Sequence, residues 1–234
     1  MKLLLSVFAA VALIASTTVA QSDDQKKQDR RLEAAGQVMN DVLHMPDTIP
    51  QHVLDHARCV VVIPSVLKAA FVVGGSYGRG AMVCRTGSLF NGPWGAPSMV
   101  ALEGGSFGLQ LGAEATDFVF LIMNNRGATS ILHSKVKLGG DVTAAAGPVG
   151  REAEADTDAY MRAEILTYSR ARGVFAGVSL EGSTLRPDND ANEALYGRKI
   201  PARQIVLGPS PESPLAARQL VLLLNSASPH PANA

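Results

Sequence analysis

Short runs of β-branched and aromatic residues, separated by glycines, fill residues 59–123 of this 234-residue chain. Examples are CVVVIP at 59–64 and TDFVFLIM at 116–123. Short runs of this composition are typical of buried strands. The connections between them are too short for parallel crossovers, so neighbouring strands are expected to run antiparallel. We therefore predict an α+β fold: a glycine-rich, mainly antiparallel curled sheet or partial barrel with short flanking helices.

Helical patterns lie on both sides of this strand-rich region. From Arg30 onward, apolar residues recur at three- and four-residue steps, which gives a helix one apolar face. After the strands, the segment DNDANEALYG predicts a helix that Asp190 caps and Gly197 ends. A last helix is predicted at 215–227, and its apolar stretch is too short to cross a membrane.

The pattern G-x-S-x-G occurs twice among the strands, at 74–78 and at 104–108. In hydrolases this pattern places a nucleophilic serine on a turn between a strand and a helix. Neither Ser76 nor Ser106 is followed by a helical pattern, so we predict no catalytic residue. We interpret the two copies as equivalent bends of one curled sheet, since glycine permits close approach of backbones. An anion-binding nest of backbone amides is a further interpretation.

Composition divides the chain into five segments. The first begins with Lys2, continues with an apolar run and ends with small residues, as secretory signal peptides do. Such a start implies export, to a periplasm or out of the cell, with a peripheral place on a membrane as one option. The predicted segments are a signal peptide at 1–20, a disordered start at 21–29, one domain at 30–207, a linker at 208–214, and a helix with a tail at 215–234.

The two cysteines, Cys59 and Cys84, each lie in an apolar, strand-like run. In the oxidising compartment that a signal peptide implies, an isolated pair commonly forms a disulfide, and we favour this over two buried thiols. Two cysteines without a C-x-x-C spacing do not indicate a zinc site, and we predict neither a metal nor a cofactor.

The charges of the chain balance, with 21 basic and 21 acidic residues. A neutral protein has no long-range field that attracts nucleic acid, so we predict no nucleic-acid partner, and any anionic surface must be bound by a local cluster. Carboxylates gather at 152–158, but they lack the EF-hand pattern that calcium needs. We interpret that segment as a solvated acidic loop.

Four sequence blocks, in order, carry a resemblance to a known family. They are VVVIPSVLKAAFVVGGSYGRGAMVCR, EGGSFGLQLGAEATDFVFLIMN, KLGGDVTAAAGPVGR and AEILTYSRARGVFAGVSLEGSTLRPDNDANEALYG. From about Leu32 to Leu207 the chain resembles the SYLF domain family, a lipid-binding module known in eukaryotes partly through a yeast actin-binding protein. The resemblance implies binding to membrane phospholipids, notably phosphoinositides, without enzymatic activity.

A phospholipid headgroup needs cations beside an apolar surface. Lys135 and Lys137 are two residues apart in an extended stretch, which directs both side chains to one face and makes them the preferred pair. Each candidate, taken singly, also fits an ordinary solvated charge. The candidate headgroup residues are Lys68, Arg79, Arg85, Arg126, Lys135 and Lys137.

The sequence therefore favours an exported, non-catalytic protein whose partner is a phospholipid or membrane surface. The second hypothesis is a protein-interaction or structural component of the cell envelope. In that case the apolar C-terminal helix would contact an envelope protein partner. A serine hydrolase ranks third.

Overall fold

The computed structural model describes residues 2–70, 73–107, 114–150, 162–171, 174–209 and 211–229. The helices in these ranges are α1 (Lys2–Leu43), α2 (Gln51–His56), α3 (Asn125–His133), α4 (Asn189–Tyr196), α5 (Ala202–Leu207) and α6 (Arg218–Ala227), with a 3-10 turn at Leu215–Ala217. The strands are β1 (Cys59–Ala70), β2 (Val73–Cys84), β3 (Ser98–Phe107), β4 (Glu114–Ile122), β5 (Val136–Lys137), β6 (Ala144–Ala146), β7 (Ile165–Ala171), β8 (Val174–Gly177) and β9 (Thr184–Pro187). This mixture confirms the predicted α+β class.

The strands of the described ranges join into one curled sheet. Its order is β5-β9-β3-β2-β1-β4-β7-β6, and β8 pairs with β7 outside this path. Strands β6 and β7 run parallel, and the other pairs are antiparallel. The mainly antiparallel, partly closed sheet with flanking helices is therefore confirmed.

The two G-x-S-x-G copies lie opposite one another on β2 and β3. Gly74 pairs with Ser106, and Ser76 pairs with Gly104. A Cβ atom on Gly104 would lie 2.5 Å from the Ser76 Oγ, so a larger residue at 104 would displace that hydroxyl. Both serines lie within strands, whereas a nucleophile elbow places its serine on a strand-to-helix turn.

Each face of the sheet packs against its own set of helices, as the alternation along β1 shows. Val60 and Val62 belong to the core cluster that contains residues of α1, α4 and α6. Val61 and Ile63 belong to a second cluster, which contains residues of α3 and α5. We call these two sides of the sheet the α1 face and the α3 face.

Residues 21–29 are helical, so the prediction of a disordered start is wrong. They lie within α1, and Gln28 is buried just ahead of the core residues Leu32 and Ala35. The prediction of disorder relied on polar composition, and it failed because Gln and Lys are polar and yet favour helices. The helix that starts from the apolar pattern therefore extends back through this segment.

Helix α4 is capped by Asp188 and not, as predicted, by Asp190. The Asp188 carboxylate accepts a hydrogen bond from the Ala191 amide at 3.4 Å. Asp190 lies in the first turn, where its charge still favours the helix N-terminus. Gly197 ends the helix with a φ of 67°, as predicted.

Cys59 and Cys84 form a disulfide, which confirms the predicted bond. The two residues are direct partners in the pairing of β1 with β2, and both are buried. The acidic segment 152–158 lies outside the described residues. Within the described part of the chain, no helix is both long enough and apolar enough for a bilayer crossing.

Candidate functional site

Beyond α1, the α1 face of the sheet changes from apolar to basic. Ala81 and Val83 of β2 belong to the core that α1 covers, whereas Tyr77 and Arg79 of the same strand and face carry polar groups. Paired residues of antiparallel strands share a face, so the register extends this surface across β3, β9 and β5. One cross-strand row consists of Leu67, Tyr77, Glu103, Thr184 and Lys137. We name this surface the basic face, and its cations are Arg79, Arg186, Lys135 and Lys137, bordered by Lys27, Arg30 and Arg31 of α1.

A groove of about 390 Å³ lies between α1 and the pair of strands β1 and β2. Two large apolar side chains line it and stay exposed, Leu67 at 60% and Tyr77 at 46%. The cations that line it are Lys27, Arg30, Arg31 and Arg79. Exposed apolar groups beside clustered cations make an amphipathic surface of the kind that suits the boundary between headgroups and acyl chains.

Arg31 and Arg79 are held close enough to repel one another. Burial lowers the pKa of the Arg31 guanidinium, and the positive charge of Arg79 lowers it further. Asp188 opposes this effect, and its Oδ2 lies 3.1 Å from the Nε of Arg79. An anion that enters the groove would stabilise both guanidinium groups in their charged forms.

Glu103 holds two cations of the basic face together. The Nε of Arg186 donates to its Oε1 at 2.9 Å, and the Nζ of Lys135 lies 3.4 Å from its Oε2. The hydrogen bond from Arg186, with a smaller effect of Lys135, holds the pKa of the Glu103 carboxyl below its usual value. Lys137 is exposed, and its backbone amide donates to Asp141 at 2.8 Å. The preferred pair Lys135 and Lys137 thus lies on the basic face, but Glu103 partly neutralises Lys135.

Arg126 belongs to a separate surface. It lies in the first turn of α3, where its Nη1 lies 3.4 Å from Oε1 of the buried Glu164. Together with His133, Lys135 and Asp141 it lines a cleft of about 790 Å³ between α3 and β5. This cleft carries charges of both signs, and Lys135 lies on the border between the cleft and the basic face.

Arg85 is a buried structural residue, so its prediction as a headgroup ligand is wrong. Its guanidinium donates to the carbonyl of Ala57 at 3.0 Å and to the hydroxyl of Ser228 at 2.6 Å, and it lies 4.3 Å from the ring centroid of Trp94. Burial lowers the pKa of Arg85 to about 10. The local sequence could not reveal this role, because Ser228 comes from the far end of the chain.

Sequence reasoning missed Arg31 and Arg186. Arg31 directly precedes Leu32, so the helical periodicity places it on a helix beside the apolar face. The sequence does not show which strand that helix packs against. Arg186 lies on β9, which spans Thr184–Pro187 and is too short to stand out in the sequence. The side chain of Lys68 lies outside the described part of the structure, and its backbone pairs with Ser76 on β2.

Three histidine rings contact the backbone of the helix that carries them or directly precedes them. His44, His56 and His133 each place Nδ1 within 2.8 Å of the carbonyl oxygen four residues earlier. These contacts join the rings to backbone carbonyls, whereas the Oγ of Ser76 faces Gly104 on β3.

The family model described as "Ysc84: Las17-binding protein actin regulator" matches residues 103–227. The matched range contains Glu103, Lys135, Lys137 and Arg186 of the basic face, together with Asp188. The chain belongs to the Ysc84, or SYLF, family. The expected family resemblance is thereby confirmed.

Relatives in fungi and animals agree with this assignment. An SH3 domain-containing protein of Schizosaccharomyces pombe is 42% identical over 184 residues, which are 77% of this chain and 41% of that protein. Protein YSC84 of Saccharomyces cerevisiae is 37% identical over 190 residues, 80% of this chain and 40% of that protein. SH3 domain-containing YSC84-like protein 1 of Homo sapiens is 37% identical over 183 residues, 77% of this chain and 52% of that protein. The chain thus spans about half, or less, of the length of these relatives.

Proposed function

We propose that this SYLF-family chain binds anionic phospholipid membranes through the basic face, without catalysis. The observation that carries the proposal is the position of Arg31 and Arg79 beside the exposed side chains of Leu67 and Tyr77. Guanidinium groups bind phosphate oxygens in a bidentate manner. The neighbouring apolar side chains would enter the boundary between headgroups and acyl chains.

Because the chain as a whole carries no net charge, a local cluster of cations supplies its attraction to an anionic membrane. Each basic residue near an anionic membrane surface contributes about 1 kcal/mol. Glu103 and Asp188 offset part of the charge of the basic face. If three cations act without compensation, they supply about 3 kcal/mol, which is roughly a 150-fold gain in affinity.

Vesicle co-sedimentation of the purified protein tests the proposal. The vesicles are phosphatidylcholine alone, phosphatidylcholine mixed with phosphatidylglycerol, and phosphatidylcholine mixed with a phosphatidylinositol phosphate. We expect binding to both anionic mixtures, and weaker binding as added salt shortens the screening length from about 10 Å at 0.1 M to about 3 Å at 1 M. Failure to bind any of the three would refute the lipid function.

We also propose that the chain is exported and that residues 1–20 are removed as a signal peptide. The charged and then apolar start supports this, as does the disulfide between Cys59 and Cys84, which is typical of oxidising compartments. The intact mass of the protein isolated from its own cells tests the proposal. A mature chain that begins at Gln21 is expected, and retention of Met1 would contradict it.

A second candidate function, protein binding, is favoured by exposed leucines near the C-terminus. Leu215 is 87% and Leu222 is 55% exposed, and with Glu33 they line a groove between α1 and the C-terminal segment. The family description names Las17 binding and actin regulation. We propose this groove as the contact for a protein partner. Co-sedimentation with purified actin filaments is the test, and Leu215→Asp with Leu222→Asp should abolish any binding that occurs through this groove.

A further inference from the structure

A buried carboxylate lies beneath the arginines of the basic face. Asp188 is 2% exposed. Its Oδ1 caps α4, whereas its Oδ2 accepts no hydrogen bond from the described residues. A buried carboxylate oxygen without a hydrogen-bond donor is costly and rare in folded proteins. The capping of α4 therefore accounts for the burial of Oδ1 but not for that of Oδ2.

Arginines from three different elements interact with the charge of this carboxylate, and one of them forms an ion pair with it. The Nε of Arg79 on β2 lies 3.1 Å from Oδ2 but donates its hydrogen to the hydroxyl of Tyr77. Burial and Arg79 lower the pKa of Arg31 on α1, and the charge of Asp188 opposes them. The pKa of Arg186 on β9 is raised chiefly by its hydrogen bond to Glu103 and to a smaller extent by Asp188. One buried negative charge thus attracts the same cations that the basic face presents to a ligand.

We propose that Asp188 is a built-in competitor of the anionic headgroup and sets the affinity of the basic face. This inference rests on the proposed lipid function. In the free protein Asp188 stabilises like-charged guanidinium groups that are held close together. When a phosphate binds the same groups, it approaches Asp188 as well, and the repulsion between the two negative charges weakens binding. Asp188 therefore keeps attachment to the membrane reversible.

Replacement of Asp188 by Asn removes this negative charge and changes little else. Asn caps helices as well as Asp does and has nearly the same shape, so α4 is retained. Asp188→Asn should bind vesicles of phosphatidylcholine with phosphatidylglycerol about fivefold more tightly, because the buried carboxylate no longer repels the bound phosphate, an effect the size of one unit charge at a membrane surface. Asp188→Ser, which also supplies a good cap, should give a similar gain.

The exposed neighbour Asp190 provides a matched control. It lies in the first turn of the same helix, so Asp190→Asn changes the net charge equally without removing the buried carboxylate. Its affinity for the anionic vesicles should equal that of the wild type. On vesicles of phosphatidylcholine alone, the Asp188 variants should show no gain.

The affinities of these variants for the anionic vesicles decide whether the inference holds. Tighter binding than the wild type by the Asp188 variants, and not by Asp190→Asn, supports the inference. Unchanged or weaker binding by folded Asp188→Asn overturns it, and so does an equal gain in Asp190→Asn. If circular dichroism shows that neither Asp188 variant folds, the carboxylate is a structural requirement and the inference fails. If no chain, wild type or variant, binds any vesicle, the proposed lipid function itself fails.

Discussion

Arg85 and Ser228 form two hydrogen bonds, although 143 residues of sequence separate them. The guanidinium donates to the Ser228 hydroxyl at 2.6 Å and to its carbonyl at 3.2 Å. The indole N–H of Trp94 donates to the same carbonyl at 3.1 Å, and the ring of Trp94 lies against the guanidinium. This buried contact attaches the end of α6 to the end of β2, on the side of the sheet that α1 covers.

Arg85→Lys should destabilise the protein by about 3 kcal/mol. Hydrogen bonds to a charged group contribute about 1.5–3 kcal/mol each, and a lysine ammonium cannot reproduce the planar fork of the guanidinium. Urea denaturation measures the loss in the free energy of unfolding. Arg203→Lys, at an exposed position of α5, is the control and should change this free energy by less than about 0.5 kcal/mol. Equal stability of the two variants would show that the contact contributes nothing.

The disulfide should stabilise the fold mainly by restricting the unfolded chain. Cys59 and Cys84 are 25 residues apart, for which loop-closure entropy gives about 3 kcal/mol. Replacement of both by Ser should lower the free energy of unfolding by about this amount, and a reducing agent should then have no further effect. Mass spectrometry without reductant should find the wild type lighter than the reduced chain by two hydrogen atoms. Two thiols that react with an alkylating agent in the native, unreduced protein would contradict the bond.

Two glycines of β2 should respond differently to alanine. A Cβ atom on Gly80 would lie 2.0 Å from the carbonyl oxygen of Val62 on β1, whereas the nearest atom to a Cβ on Gly75 is 3.7 Å away. Gly80→Ala should force the two strands apart and cost at least about 3 kcal/mol. Gly75→Ala should be neutral or stabilise by up to about 1 kcal/mol, because alanine reduces the freedom of the unfolded chain. Chemical denaturation that ranks the two variants equally would disprove this account of the β1–β2 contact.

The sheet was predictable because its signals are local. The β-branched runs and the short connections both lie within single strands or between neighbours, and they determine antiparallel pairing without knowledge of distant residues. The same holds for the end of α4 at Gly197, since an αL position favours glycine wherever it occurs. The cap of α4 was misplaced by two residues, because Asp188 and Asp190 are equally good capping residues in the sequence.

The candidate site was predictable only in part, because it is assembled from distant segments. Lys137 and Arg79 were identified as cations near strands, but their common face depends on the register across β5, β9, β3 and β2. The roles of Arg85 and Asp188 depend on partners far away in sequence. Local composition shows that a charge is present, while burial and partners decide whether it is available to a ligand.

The centre of the membrane-binding surface should lie at Arg31 and Arg79 rather than at Lys135 and Lys137. Arg31→Gln with Arg79→Gln removes two charges beside exposed apolar side chains, and it should cost about 2 kcal/mol, roughly a thirtyfold loss of affinity for anionic vesicles. Lys135→Gln with Lys137→Gln should cost less, because these lysines do not line the groove that holds the exposed side chains of Leu67 and Tyr77. We expect a loss between about fivefold and thirtyfold for the lysine pair.

Vesicle titrations at low and high salt test whether the arginine pair or the lysine pair lies at the centre of the binding surface. The control is Arg198→Gln with Arg203→Gln, two exposed arginines outside the basic face, and it should bind as the wild type does. Both basic-face variants should approach the wild type in high salt, where screening removes the electrostatic share of its affinity. Thermal melts must show that the variants are folded, since loss of Arg79 leaves Asp188 without its ion pair. A larger loss in the lysine pair would move the centre of the site to β5, and an equal loss in the control would mean that the protein binds membranes by its general charge and not by the basic face.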